Sequence, residues 1–168
     1  MTAEKIIIGA DHAGFPLKEA IKPLLAGMGI EVTDAGTDCD RSVDYPDFAA
    51  CVAKAVATGA FPRGILICGS GVGMAIVANR FPGVRAALCL DEETARLSRM
   101  HNDANILVLA GRKTEPAEAE GIVRAWLTTP FEGGRHQARL DKIRATEQQL
   151  QGETEQPVVA QDTRRGPV

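Results

Sequence analysis

The stretch Gly64-Ile-Leu-Ile-Cys-Gly-Ser-Gly-Val-Gly73 decides the fold of this chain. Ile65, Leu66 and Ile67 make a continuous apolar run, the composition of a strand buried on both faces of a parallel sheet. The turn that follows sets glycine at 69, 71 and 73. Glycines at alternate positions let the backbone approach a ligand and aim N–H groups at it, beside a helix N-terminus that favours negative charge. A dinucleotide site is one reading, and Asp91 further on mimics its ribose-binding acid. Against it, Met74 fills the sixth fingerprint position and the loop follows the third strand rather than the first. A plain tight turn explains one glycine and leaves the others without a reason.

Similar β-branched runs lie on both sides: Lys5–Gly9, Glu31–Asp34, Arg85–Leu90 and Ile106–Ala110. Helical patterns separate them. Leu17, Ile21, Leu24, Leu25 and Met28 trace one helical face, with Pro16 suited to the first turn and Pro23 expected to kink the helix. Phe48, Val52 and Val56 mark a second helix, opened by Pro46. A third starts in the glycine turn, and Asp91-Glu92-Glu93 open a fourth. Ala119, Ile122, Val123, Trp126 and Leu127 give a fifth its 3.6-residue period. Five such β-α units predict an α/β fold, a doubly wound five-stranded parallel sheet of Rossmann-like or flavodoxin-like type. An extra C-terminal helix is expected from about Arg135 to Leu150, its apolar seam made by Leu140, Ile143 and Leu150. One domain then covers residues 1–150, and the polar segment 151–168 reads as a disordered tail.

The chain has 168 residues, 45% hydrophobic and 24% charged, with a net charge of −3. That size buries a core without staples. The charge gives no general attraction to nucleic acid or an anionic membrane, so a bound anion needs a local cluster of cations. No apolar run approaches the length of a membrane helix and the N-terminus lacks a signal-peptide pattern, which predicts a cytoplasmic protein. The four cysteines, at 39, 51, 68 and 89, form no C-x-x-C pair and are expected as free thiols. Cys51 and Cys89 sit in apolar runs and are expected in the core.

Ligands of open parallel sheets bind beyond the carboxyl ends of the strands. Asp11 and His12 follow strand one, Cys68 to Gly73 follow strand three, and Arg112 follows strand five. His101 and Asn102, at the end of the fourth helix, are expected to join them at one rim. Cys68, just before a helix N-terminus that stabilises thiolate, suits a base or nucleophile; a buried strand-end cysteine is the alternative. Arg135 and Arg139, one helical turn apart, suit either a forked grip on phosphate or a solvated basic face. Three histidines with no i,i+4 His pair or dense carboxylate cluster predict no metal site, which disfavours a metal-assisted hydride shift.

Five stretches together resemble the type B ribose-5-phosphate isomerase family, with its allose- and galactose-6-phosphate isomerase relatives. They are Gly9-Ala-Asp-His-Ala-Gly14, Asp44-Tyr-Pro-Asp47, Gly64 to Gly73, Leu97-Ser-Arg-Met-His-Asn-Asp103 and Gly133-Gly-Arg-His-Gln-Ala-Arg139. The resemblance covers roughly residues 5 to 148. It implies aldose–ketose isomerisation of ribose 5-phosphate and ribulose 5-phosphate through an enediolate, without a cofactor, as in the non-oxidative pentose phosphate pathway. Another phospho-sugar (allose 6-phosphate, galactose 6-phosphate or a tetrose phosphate) is the alternative, as is a non-catalytic sugar-phosphate or nucleotide-binding module.

By the same resemblance Cys68 takes the proton from C2, His101 opens the ring and Ser70 assists proton movement. Asp11, His12, Tyr45, Gly69, Ser70, Gly71, Val72, Gly73 and Asn102 bind the sugar. His12, Arg112, Arg135 and Arg139 hold the phosphate. One family branch replaces the cysteine with a glutamate in the helix after the glycine turn; Met74-Ala-Ile-Val-Ala-Asn-Arg80 carries no acid, so the cysteine mechanism is implied. The family also implies a homodimer or homotetramer with shared active sites.

Overall fold

The predicted strand of residues 64–68 lies at the centre of the sheet, with its three large side chains fully buried. The computed structural model describes residues 4–152. Its five strands are β1 (Lys5–Ala10), β2 (Glu31–Asp34), β3 (Arg63–Cys68), β4 (Ala86–Leu88) and β5 (Ile106–Ala110). All neighbours pair in parallel, in the order β2-β1-β3-β5-β4. The doubly wound α/β expectation therefore holds, with β5 inserted between β3 and an edge strand β4. That edge strand covers residues 86–88 of the expected Arg85–Leu90.

Six helices connect or follow the strands: α1 (Phe15–Gly27), α2 (Tyr45–Ala57), α3 (Val72–Ala78), α4 (Glu92–Asn102), α5 (Pro116–Thr128) and α6 (Arg135–Gly152). Successive strand side chains point to opposite faces. Ile65 and Ile67 thus join a core with α1, α4 and α5, while Leu66 and Cys68 join a second core with α2 and α3. After β3 the chain crosses to the α2–α3 face; after β1 and β5 it crosses to the other. The loops at the carboxyl ends of these three adjacent strands diverge, and a cleft opens between them.

Local chemistry fixes the helix ends. Pro16 sits in the first turn of α1, and the helix continues past Pro23 to Gly27 without a break. Asp91 caps α4 by accepting the Thr94 N–H, and α5 starts with a Glu115–Glu118 capping box. Cys89 is buried and its thiol is pushed up to about 11, chiefly by burial. Cys51 corrects its expectation and is exposed. α2 buries Ala49, Val52, Ala53 and Val56, and position 51 falls off that face.

In α6 only His136 and Leu140 are buried; Ile143 and Leu150 of the expected seam are exposed on this chain. The helix also runs two residues past the expected 150, to Gly152. The rest of the predicted tail lies outside the described residues.

Candidate active site

The cleft at the carboxyl edge encloses about 570 Å³ and is lined by Asp11, His12, Tyr45, Cys68, Ser70 and Arg112, together with Ala13, Gly69, Gly73 and Lys113. Its floor is the end of β3. The Cys68 carbonyl accepts the Gly111 N–H at 2.8 Å, and the Gly69 carbonyl accepts the Arg112 N–H at 3.1 Å. Those bonds extend the β3–β5 ladder into the loops and bring Arg112 over Gly69, where a Cβ would lie 3.3 Å from its Cδ. Gly71 has φ +76 and packs so close to Leu88 and Leu109 that any side chain would collide. Glycine there is required twice over, by conformation and by space.

The β1–α1 loop supplies the opposite wall. Asp11 is buried, and its Oδ1 accepts the N–H groups of Ala13 at 3.0 Å and Gly14 at 2.9 Å. Oδ2 makes no hydrogen bond among the described residues, which leaves it for a ligand. His12 Nδ1 meets the backbone of Val43, 3.2 Å from N and 3.3 Å from O, so the loop before α2 orients the ring. Tyr45, the first residue of α2, lies over Gly73 at the start of α3. Cys68 is a free thiol, 4% exposed, with its side chain on the α2–α3 side. Ser70 is exposed, and its Oγ accepts the Val72 N–H at 3.4 Å. Gly71 and Val72 shape the turn without lining the cleft.

The expectation of a single rim is corrected. His101 and Asn102 do not line the Cys68 cleft; Arg135 and Arg139, for which the family resemblance implies a role toward a neighbouring chain, do not line it either. Strands and helices alternate in direction here, so the end of α4 lies beside the amino end of β5, whereas Cys68 pairs with Ala110 at the carboxyl end. A five-residue strand separates the two edges by roughly 16 Å. At the amino edge, the His101 ring stacks on His136 with centroids 4.2 Å apart and planes 8° from parallel. Asn102 lines a separate groove with Val84, Ala87, Ile143 and Leu150. Arg135 and Arg139 are exposed on α6, and Arg135 Nε stands 3.4 Å from His136 Nε2.

Sequence reading missed three residues. Lys113 joins Arg112 in the cleft, and no pattern distinguished it from a surface lysine. Glu132 and His136 join His101, with the ligand atoms of all three within 4.8 Å of one another. No single helix carries the two histidines: His101 lies on α4 and His136 on α6, and the i,i+4 partner of His136 is a glutamate. Burial, then the charges of His101 and Arg135, hold His136 below the ordinary histidine range.

A thiol, an imidazole, a carboxylate and a guanidinium around one opening at the carboxyl edge of a parallel sheet define an α/β small-molecule site. The model of the Ribose/Galactose Isomerase family matches residues 6–143, and the chain belongs to that family. It is 49% identical over 145 residues to ribose-5-phosphate isomerase B of Escherichia coli, covering 86% of this chain and 97% of that protein. The structure of Clostridium thermocellum ribose-5-phosphate isomerase B matches with a TM-score of 0.85 and 50% identity, covering 87% of this chain and 99% of the other. The Mycoplasma genitalium enzyme, solved with bound ribulose-5-phosphate, matches with a TM-score of 0.84 at 43% identity, covering 88% and 99%.

Proposed function

We propose that this chain interconverts D-ribose 5-phosphate and D-ribulose 5-phosphate by proton transfer between C2 and C1. The observation that carries the reading is Cys68 at the edge of a cleft that also holds Asp11, His12, Ser70 and Arg112. The Cys68 thiolate removes the C2 proton and returns it to C1. The enediolate formed in between carries negative charge on oxygen, which the backbone N–H groups of the Gly69–Gly73 turn stabilise. A well-placed donor of this kind contributes about 3–4 kcal/mol. Ser70 relays the proton between the sugar oxygens, Asp11 and Tyr45 hold the sugar, and His12 and Arg112 face the phosphate. Binding energy at the phosphate then positions carbons several bonds away.

His101 opens the ring, Asn102 binds a sugar hydroxyl, and Arg135 and Arg139 complete the phosphate grip, all supplied by a second copy of the chain. Support for this comes from the separation of the two sheet edges, since no five-carbon sugar spans roughly 16 Å. A two-fold axis that sets the carboxyl edge of one copy against the amino edge of the other makes two such sites at once. The exposed Ile143 and Leu150 of α6 are then covered by the partner. Phosphorylated sugars are retained where they are made, so the enzyme is assigned to the cytoplasm.

A coupled assay of kcat/KM on ribose 5-phosphate, allose 6-phosphate and galactose 6-phosphate tests the substrate. The five-carbon phosphate is expected to be preferred. Turnover only of a six-carbon phosphate would replace the substrate, and no turnover of any would overturn the reading.

A further inference from the structure

Three Lewis bases converge at the amino edge, on the far side of the sheet from the thiol. Glu132 Oε2 lies 3.4 Å from His136 Nε2 and 4.0 Å from His101 Nε2. The backbone holds the group together: the Glu132 N–H donates to the Met100 carbonyl at 3.1 Å, and the His136 N–H donates to the Gly133 carbonyl at 3.0 Å. The two rings stack at a centroid distance of 4.2 Å, and the Nε2 atoms of both lie near the same Glu132 oxygen.

We propose that His101, Glu132 and His136 form a binding site for a divalent transition metal ion of the zinc type, and that its occupation blocks turnover. Two imidazoles and one carboxylate are a borderline donor set that suits Zn²⁺, Cu²⁺ or Ni²⁺ and not Mg²⁺ or Ca²⁺. Ligands of a tetrahedral ion bound at about 2.0–2.1 Å stand about 3.3–3.5 Å apart. The Glu132–His136 distance already fits. His101 must close in and turn its ring out of the stack, and it is free to do so: its side chain is 35% exposed and no hydrogen bond among the described residues holds the ring.

His136 is the fixed member, buried at 3% exposure. Its Nδ1 is buried without a partner, and Arg135 Nε points a donor at Nε2. Nε2 is therefore the nitrogen that faces Glu132 and the site, and an entering ion takes the place of the Arg135 donor there. Arg135 and Arg139 oppose added positive charge and keep the affinity moderate. The inhibitory consequence rests on the ring-opening role proposed above for His101, because a metal on Nε2 removes that nitrogen from acid–base chemistry.

The test is titration of the metal-free full-length enzyme with Zn²⁺, followed by calorimetry, and with Co²⁺, followed by visible absorption. About one ion per chain is expected, with E132Q and H136Q each weakening it at least tenfold. The Co²⁺ spectrum should lack a sulfur charge-transfer band and be unchanged in C68S. E132Q is expected to lose Zn²⁺ inhibition of the turnover it retains; it also covers the case in which H136Q misfolds. Absence of binding, or binding that survives E132Q and is lost in C68S, overturns the site. Binding that depends on Glu132 but leaves turnover intact keeps the site and removes the role given to His101.

Discussion

Gly73 lies directly beneath the ring of Tyr45: a Cβ added to the glycine would come within 2.6 Å of the ring's Cε2 and Cζ atoms. The absence of a side chain at 73 is what lets the tyrosine cover the cleft. G73A is therefore expected to push the ring away from bound sugar. Loss of about 1 kcal/mol of contact raises KM about fivefold. Stability should change little, because alanine recovers up to about 1 kcal/mol of helix propensity in α3. Steady-state kinetics beside thermal melts would separate the two effects; an unchanged KM would remove Tyr45 from the substrate.

Lys18 is buried under the β2–α2 loop, where its Nζ donates to both Asp34 oxygens, at 2.9 and 2.7 Å, and to the Thr37 carbonyl at 2.7 Å. That loop runs on to Val43, which orients His12. Replacing the lysine with methionine is expected to cost about 1.5–3 kcal/mol, the range for hydrogen bonds to charged groups. Lys22, which also reaches Asp34 at 2.9 Å, limits the loss.

The same pair sets an acid dependence. Burial raises the Asp34 pKa, but hydrogen bonds from Lys18, Lys22 and the Gly36 N–H outweigh it, and the net value lies below the ordinary 3.8. A carboxylate with a depressed folded pKa contributes stability at pH above its unfolded value. That contribution is lost as pH falls through the folded value. Urea unfolding across acidic pH should show a shallower decline for K18M than for the natural chain; parallel curves would contradict the assignment.

The shared site predicts complementation. C68A and H101N homodimers are each expected to be nearly inactive, since each lacks one catalytic group in both sites. A hybrid dimer regains one complete site, made from the His101 of one copy and the Cys68 of the other. Random mixing makes half the dimers hybrids, so co-expression or co-refolding should restore roughly a quarter of normal activity. No recovery on demonstrated mixing would place Cys68 and His101 of a single chain on the same sugar.

Most of the fold was legible because the strands are short, apolar and evenly alternated with amphipathic helices. Ile65, Leu66 and Ile67 read as a two-sided buried strand and are one. Periodicity could not show that β5 inserts between β3 and β4, because strand order depends on packing rather than on local pattern. The carboxyl-edge half of the site was equally legible: Asp11, His12, Cys68, Ser70 and Arg112 follow strand ends, and strand ends share an edge. His101 and Asn102 follow a helix end, and because helices return antiparallel to the strands they stand at the opposite edge, which local sequence pattern does not show. Glu132 and His136 were unreadable as partners of His101 because the fold alone joins α4 to the start of α6.

The most direct test is hydrogen exchange at the sugar carbons, followed by NMR in deuterated water with ribose 5-phosphate. Wild-type protein should form ribulose 5-phosphate with deuterium entering at C1. C68A should bind the phosphate ligand yet show neither exchange nor product. Exchange by C68A at a rate near that of the natural chain would mean that another group is the base, and the sulfur at the end of β3 would lose its role.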